Sequence, residues 1–174
     1  MAIADFQKQV ATHPAIGVPG DKASLNPVVY TDRNFIAGDD KVTVGNFAWS
    51  DPANSVNGDY HGSGIFKALS GDISGYAPLG IVERNLSYVN YNILDGGTLT
   101  VPENAPLQIA LKGDYYAVAG NAATKGDKVF ANLTDGSIQT APAGSSIGGH
   151  VETSWRVTEG GAAGDIITIS SWRA

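Results

Sequence analysis

Glycine and proline interrupt this sequence so often that almost no stretch is long enough to form a packed helix. Twenty-two glycines and eight prolines are spread along the 174 residues, and both residue types destabilise a helix interior. Only residues 1–10 favour a short helix, with Ile3, Phe6 and Val10 on one face and Pro14 ending it. Short strands joined by turns are predicted for the rest of the chain.

Hydrophobic and polar residues alternate along several segments, which is the period of a half-buried strand. In residues 150–157 one face carries four alternating side chains, namely Val151, Thr153, Trp155 and Val157. Residues 107–112 and 89–93 alternate in the same way. The pattern predicts a strand in each of these three segments.

The alternation changes phase within residues 42–49 and again within residues 86–91. One extra residue in a strand, a β-bulge, produces such a change and bends the strand. Because bent strands favour closure of a sheet, we predict an all-β fold that forms a small barrel.

A Gly-Asp pair precedes each of four β-rich runs, at Gly38-Asp39, Gly113-Asp114, Gly126-Asp127 and Gly164-Asp165. Glycine adopts the positive φ that a tight turn requires, and aspartate hydrogen-bonds the backbone beyond it. Each pair is therefore predicted to form a turn that begins a strand. The irregular spacing of the pairs excludes a solenoid.

Residues 13–30 contain three prolines and two glycines, which predicts an extended segment without regular hydrogen bonds. We predict an N-terminal arm of residues 1–30, mobile in the free protein, and a β-barrel domain of residues 31–174. Four hydrophobic residues of the arm then need a partner to cover them: Ile16, Val18, Val28 and Val29. A competing interpretation makes residues 28–30 a strand of the domain. Residues 50–75 are predicted to form long loops.

Charge limits the possible partners. Seventeen acidic and 11 basic residues give a net charge of −6, and the basic residues are scattered, which argues against nucleic acid as a partner. Charged residues make up 16% of the chain, below a usual value of about 25%. Depletion of charge is typical of interface cores, so other subunits are expected to cover part of the surface. A compact β-domain with a polar, uncharged exterior explains the composition equally well.

Several features are missing from the sequence. It contains no cysteine, so disulfides and thiolate metal sites are excluded. The first residues do not have the pattern of a secretory signal. No apolar run approaches the roughly 18 residues needed to cross a bilayer. We expect a protein that is made or assembled in the cytosol and that has no membrane partner.

The candidate catalytic and metal-binding motifs lack the context that their chemistry needs. Residues 144–148 match the Gly-x-Ser-x-Gly pattern around Ser146, with His150 nearby. A nucleophile elbow needs a strand before the serine and a helix after it, whereas a strand is predicted to follow here. Asp59, His61 and Ser63 offer oxygen and nitrogen ligands without a second cluster nearby. We predict no catalytic site, no metal and no cofactor.

The three tryptophans are candidates for stacking on sugar rings or for contacts with other subunits. Alternation places Trp155 in the core, whereas Trp49 and Trp172 are left open. Trp172 lies two residues before the last residue of the sequence, where we expect a neighbouring molecule to cover it.

Six runs of the chain resemble the structural cement proteins of tailed bacteriophages: HPAIGVPGD at 13–21, LGIVER at 79–84, NILDGG at 92–97, LKGD at 111–114, ATKGDKVF at 123–130 and DGSIQT at 135–140. The resemblance covers most of the chain, and its motifs are structural turns.

The resemblance implies a small β-barrel or jelly-roll protein that binds the outer surface of the phage head and bridges neighbouring major capsid subunits. It would be assembled in the host cytoplasm and contact neighbouring copies of itself as a dimer or trimer. We expect the interface to include seven residues: Ile16, Val18, Pro19, Val28, Val29, Trp49 and Trp172. The alternative is a carbohydrate-binding or host-adhesion module. Exposed aromatics beside polar groups would favour this alternative, and aromatics buried between subunits would favour cement.

Overall fold

The computed structural model describes residues 16–38, 42–56, 59–63, 78–85 and 99–172. Within these ranges the chain forms strands and no helix, so the predicted all-β class is confirmed. The strands are β1 Val29–Tyr30, β2 Phe35–Ala37, β3 Val42–Thr43, β4 Phe47–Val56, β5 Asp59–Ser63, β6 Gly80–Val82, β7 Thr100–Val101, β8 Pro106–Leu107, β9 Ile109–Lys112, β10 Asp114–Val118, β11 Lys128–Asn132, β12 Ile138–Ala141, β13 His150–Glu159 and β14 Ile166–Ser170. The helix expected at 1–10 and the strand expected at 89–93 lie outside the described residues.

The strands form three sheets. A seven-stranded sheet has the order β1-β9-β6-β4-β5-β2-β8, a five-stranded sheet has the order β10-β14-β13-β11-β12, and β3 pairs with β7. Neighbours are antiparallel except for the parallel pair β2 and β5. No ladder among the described strands closes a barrel, which corrects that part of the prediction. The seven-stranded sheet nevertheless curls, because β8 and β9 lie near its opposite ends and only Gln108 separates them in the chain.

Loop residues cover the β12 edge of the five-stranded sheet, where a barrel would need another strand. The N–H of Gly120 donates to the Ile138 carbonyl at 2.8 Å. The side-chain amide of Asn121 donates to the Thr140 carbonyl and accepts from the Thr140 N–H, both at 2.8 Å. Asn121 thereby imitates the peptide group of a neighbouring strand and satisfies this edge without closure.

The described residues form a core with two parts. In the first, Trp155 of β13 packs against the rings of Phe47 and Tyr115, each with a centroid separation of 6.1 Å. Trp155 is buried together with Thr153 and Val157 of the same strand, which confirms the alternation predicted for residues 150–157. The second part is enclosed by the curled seven-stranded sheet and includes Phe35, Val82, Val101, Leu107 and Ile109.

Two of the four predicted Gly-Asp turns are confirmed, at Gly126-Asp127 and Gly164-Asp165, although their aspartates bond to the backbone that precedes them and not to the backbone beyond. Asp127 and Asp165 each accept a hydrogen bond from the backbone N–H three residues earlier, at 2.9 and 2.8 Å. Gly126 and Gly164 precede them with φ of 97° and 87°, which other residues adopt only with strain. Gly113-Asp114 begins β10 as predicted, but it follows β9 directly and forms no turn. Asp39 lies outside the described residues.

Two local predictions are wrong. Residues 42–49 contain no bulge: a turn at Gly45, with φ of 82°, separates β3 from β4, and these strands belong to different sheets. Residues 50–56 and 59–63 form parts of β4 and β5 instead of loops.

The strand predicted at 107–112 is divided at Gln108, since Leu107 pairs with β2 and Ile109 with β6. The second phase change, within 86–91, lies outside the described residues.

We predict that Gly136→Ala destabilises the protein far more than Gly144→Ala. Both glycines have positive φ, 68° and 80°, so both substitutions carry the same backbone strain of about 1–2 kcal/mol. A Cβ at Gly136 would also overlap the carbonyl of Phe47, whereas none of the described atoms lies within 4 Å at Gly144. The overlap should cost roughly 1–3 kcal/mol more. Urea denaturation of both variants measures the difference, and equal losses would contradict the prediction.

Candidate functional site

Residues 16–31, called the N-terminal segment below, include β1 and lie along the chain that forms β9 and β10. The N–H groups of Gly20 and Ala23 donate to the carbonyls of Tyr116 and Asp114 at 2.8 and 2.9 Å. The N–H of Thr31 donates to the Ile109 carbonyl at 3.1 Å. One end of the segment therefore covers the β10 edge of the five-stranded sheet, and the other end adds β1 to the seven-stranded sheet.

This arrangement differs from the arm predicted for residues 1–30. Residues 20–23 and 29–31 hydrogen-bond to the body of the protein, and Val28 packs against the first core. The pairing of Val29–Tyr30 with β9 is what the competing interpretation of residues 28–30 requires, and the division of the chain into an arm and a domain stays a prediction. Residues 1–15 lie outside the described residues, and a mobile arm remains a prediction for them.

A carboxylate from the body, Glu83, holds the middle of the N-terminal segment. Glu83 Oε2 accepts hydrogen bonds from the hydroxyls of Tyr30, at 2.7 Å, and Tyr115. Lys22 Nζ lies 3.6 Å from Glu83 Oε1 and 5.6 Å from the centroid of the Tyr30 ring. We call Glu83 and these three partners the Glu83 anchor. The Glu83 side chain is only 12% exposed, and through Tyr115 it ties the segment to β10.

Within the Glu83 anchor the pKa values of Tyr115 and Lys22 are both raised. Burial, followed by the hydrogen bond to Glu83, raises the pKa of the Tyr115 phenol well above its ordinary value. The interaction with Tyr30, reinforced by the charge of Glu83, raises the pKa of Lys22. Both groups therefore keep their protons more strongly in the folded protein than in the unfolded chain.

A second carboxylate, Asp114 at the start of β10, holds the loop of residues 24–27. Asp114 Oδ2 accepts from Ser24 Oγ and Asn26 Nδ2, both at 2.6 Å. Trp172 Nε1 donates to the Pro27 carbonyl at 3.2 Å. Behind this loop lies a groove of about 300 Å³ lined by Ser24, Asn26, Asp114, Lys125, Thr158, Thr168, Ser170 and Trp172. The loop is thus fixed at both of its ends.

Exposed hydrophobic side chains concentrate on and beside the N-terminal segment. Six large hydrophobic residues of the described chain are exposed: Ile16, Leu25, Val29, Tyr30, Val118 and Trp172. Four of them belong to the segment, Trp172 bonds to its residue Pro27, and Val118 lies on β10 beside it. We call these six residues the apolar row. A grouping of this kind is typical of protein-binding surfaces.

The structure distributes the seven predicted interface residues unevenly. Ile16, Val29 and Trp172 are exposed and belong to the apolar row. Val18, Pro19 and Val28 are half-buried. The prediction for Trp49 needs correction, because its side chain is 4% exposed and lies in the first core. Trp49 therefore has no surface to offer a neighbouring subunit.

Sequence reasoning missed three members of the apolar row: Leu25, Tyr30 and Val118. Leu25 carries a usable signal, since it stands between Ser24 and Asn26, two residue types that favour turns. A leucine in such a position has no core face to occupy. Tyr30 and Val118 give no comparable signal, because alternation along a strand does not show which face a neighbouring element covers.

The candidate catalytic motif lies in a loop, and the candidate metal ligands belong to one strand. Ser146 is exposed in the loop between β12 and β13, and a strand follows it. Asp59, His61 and Ser63 belong to β5. The described ranges contain no group of three or more His, Asp or Glu side chains placed to hold a metal ion. They also contain no long apolar helix of the kind that crosses a bilayer.

A family model described as "Structural cement protein (E217 gp24/Pam3 gp6)" matches residues 6–171. The chain belongs to this family of phage structural cement proteins. The family resemblance noted in the sequence is thereby confirmed, and the cement protein is a structural component of a phage.

Two solved structures are similar to the cement protein. A chain of "The capsid of Myoviridae Phage XM1" is 15% identical with a TM-score of 0.62, and the match covers 98% of both chains. At this identity the likeness is one of fold. A chain of "The crystal structure of head fiber gp8.5 N base in bacteriophage phi29" is 12% identical with a TM-score of 0.46, over 79% of this chain and 91% of that one. No curated protein sequence matches.

We predict that deletion of residues 1–30 strongly lowers the melting temperature, whereas deletion of residues 1–15 leaves it nearly unchanged. The longer deletion removes β1 and uncovers the β10 edge. It also takes Lys22 and Tyr30 away from the Glu83 carboxylate, and a buried charge that loses its partners is destabilising. Thermal unfolding followed by circular dichroism compares the two deletions. A 1–30 deletion as stable as the full chain would contradict this prediction.

We predict that the folded state loses stability above about pH 10, where tyrosine and lysine side chains lose their protons in the unfolded chain. Because the folded-state pKa values of Tyr115 and Lys22 are raised, the unfolded chain releases these protons first as the pH rises. For Tyr115 the free energy of unfolding should then fall by up to about 1.4 kcal/mol per pH unit.

Urea denaturation between pH 8 and pH 11 tests this pH dependence. Tyr115→Phe should be less stable than the wild type at pH 8, because it lacks the hydrogen bond to Glu83, and should lose stability less steeply above pH 10. Tyr116→Phe, outside the Glu83 anchor, is the matched control for removing a phenol from β10. Equal alkaline slopes for the wild type and Tyr115→Phe would show that the Tyr115 proton does not contribute.

Proposed function

We propose that this cement protein binds the outer surface of the phage head without catalysing a reaction and bridges neighbouring major capsid subunits. The observation that carries the proposal is the apolar row, in which four large hydrophobic side chains of the N-terminal segment and two beside it, Val118 and Trp172, are exposed to solvent. Membership in the cement family supports the virion as its location and the shell as its partner.

The chemistry of the apolar row suits docking on a folded protein. Its side chains are aliphatic or aromatic, and burial of such surface contributes about 25 cal/mol per Å². Val29 and Tyr30 stand on β1, which already pairs with β9, and the residues on both sides of Leu25 are bound to Asp114. Little conformational entropy is therefore lost when a partner covers these side chains. The low charge of the chain, 16% of residues, is compatible with a large covered surface. Contacts with neighbouring copies as a dimer or trimer belong to the same proposal.

A second candidate function, binding of a carbohydrate, is favoured by one observation. The groove of about 300 Å³ combines the exposed indole of Trp172 with hydroxyl, amide and carboxylate groups, a set of groups suited to a sugar ring. Trp49 and Trp155 are both buried, so the described chain shows no row of exposed tryptophans. Titration with methyl glucoside and N-acetylglucosamine, followed by the indole fluorescence of wild type and Trp172→Phe, would detect such binding.

We predict that the double variant Ile16→Asp, Val29→Asp binds heads at least about tenfold more weakly than the wild type, since each charge must be desolvated at the interface. The assay is co-sedimentation of purified protein with expanded heads that lack it. The melting temperature should stay close to the wild-type value, because both side chains are exposed, at 66% and 42%.

Ala143→Asp adds a charge in the exposed loop between β12 and β13 and is the control for charge alone. It should bind like the wild type. If the double variant also binds heads like the wild type, the apolar row is not the docking surface. Sedimentation velocity of the unbound proteins separates an effect on self-association from an effect on head binding.

A further inference from the structure

Leu25 is the most exposed hydrophobic residue of the apolar row. Its relative exposure is 105%, against 37–66% for the other five members. A single exposed leucine is ordinary on a protein surface and needs no explanation by itself. The backbone on which Leu25 is presented makes this one unusual.

The loop that carries Leu25 is held on both sides of the side chain. On one side Ser24 Oγ donates to Asp114 Oδ2 at 2.6 Å and accepts from the Asn26 N–H at 3.0 Å. On the other side Asn26 Nδ2 donates to the same carboxylate oxygen at 2.6 Å, and the Pro27 carbonyl accepts from Trp172. Proline also restricts its own φ and the residue before it. Leu25 therefore projects from a loop with little remaining freedom.

Rigid presentation of an exposed hydrophobic side chain is what a binding anchor requires. A flexible loop would lose conformational entropy when a partner immobilises it, whereas a loop fixed in advance loses little. Most of the affinity of an interface resides in a few side chains that fill pockets on the partner. We infer that Leu25 is the anchor residue of the cement protein, and that it inserts into an apolar pocket on a major capsid subunit.

The choice of partner rests on the proposed function and on the position of Leu25 within the apolar row. Residues of the row lie before and after it on the N-terminal segment, and Trp172 is bonded to Pro27, two residues on. A partner that covers the row thus also meets Leu25. Leu25 is flanked by the polar residues Ser24 and Asn26, whose groups can form hydrogen bonds at the rim of an interface.

The test is co-sedimentation of wild type and Leu25→Ala with expanded heads that lack the cement protein. Leu25→Ala should weaken binding by about tenfold or more and leave the melting temperature unchanged, because the leucine makes no packing contribution in the free protein. Leu25→Met, which nearly conserves volume and hydrophobicity, should restore most of the binding. Ile147→Ala shortens an aliphatic side chain in the loop between β12 and β13 and should bind like the wild type.

A second variant tests the rigidity of the loop while Leu25 stays in place. Asp114→Ala removes the acceptor of Ser24 and Asn26, so head binding should weaken although the leucine is intact. In the double variant Leu25→Ala, Asp114→Ala the two losses should not add, because a loosened loop matters only while it carries the anchor.

The outcomes distinguish a failure of the role inferred for Leu25 from a failure of the proposed function. If the wild type itself fails to bind heads, both the proposed function and the anchor are wrong. If the wild type binds and Leu25→Ala binds equally well, the anchor alone is wrong. If Leu25→Ala changes self-association in sedimentation velocity and not head binding, the pocket belongs to a second copy, and the assignment to the capsid is overturned.

Discussion

One run of chain, residues 106–118, belongs to both large sheets, and the rest of the molecule is arranged around it. It pairs with β2 through β8, with β6 and β1 through β9, and with β14 through β10. At the crossing, Gly113 donates to Ser171 Oγ at 2.8 Å, and its carbonyl accepts from the Ser171 N–H at 3.1 Å. Where this run passes from one sheet to the other, its unpaired backbone groups would be open to pairing with another chain, and the N-terminal segment covers them.

Two carboxylates explain why this covering segment stays in place despite its prolines. Glu83 and Asp114 come from the body, and each accepts hydrogen bonds from two residues, at least one of which belongs to the segment. A buried or half-buried carboxylate that loses hydrogen-bond partners is costly, so detachment of the segment would remove stabilising hydrogen bonds from both carboxylates. A segment with few regular hydrogen bonds is thereby held by a small number of strong ones. It can carry hydrophobic side chains outward without losing its position.

The sequence predicted those features that depend on local pattern and failed where distant residues decide. Alternation in residues 150–157 and the Gly-Asp turns at Asp127 and Asp165 follow from period and turn chemistry, and both are found. The bulge at 42–49 failed because a phase change also arises when one strand ends and another begins in a different sheet. The prediction that Trp49 lies in an interface failed because its burial depends on β5 and β6, which pair with β4 on either side. Of the site, exposure of Ile16, Val29 and Trp172 was anticipated from prolines and chain position. The hydrogen bonds to Glu83 and Asp114 were not anticipated, because their partners are distant in the sequence. Tyr30 is 53 positions from Glu83, and Asn26 and Ser24 are 88 and 90 positions from Asp114.

Coverage of the sheet edges also determines how this surface can meet a partner. An open edge attracts any strand through backbone hydrogen bonds and leads to uncontrolled association. Here the β10 edge is occupied by residues 20–23, the β12 edge by Gly120 and Asn121, and β1 is an edge strand of only two residues followed by Asp32 and Arg33. What the N-terminal segment offers to a partner is therefore mainly side chains. Recognition by side chains requires a complementary surface, so it favours one specific partner and a fixed stoichiometry, which suits the proposed binding to the symmetric shell of a phage head.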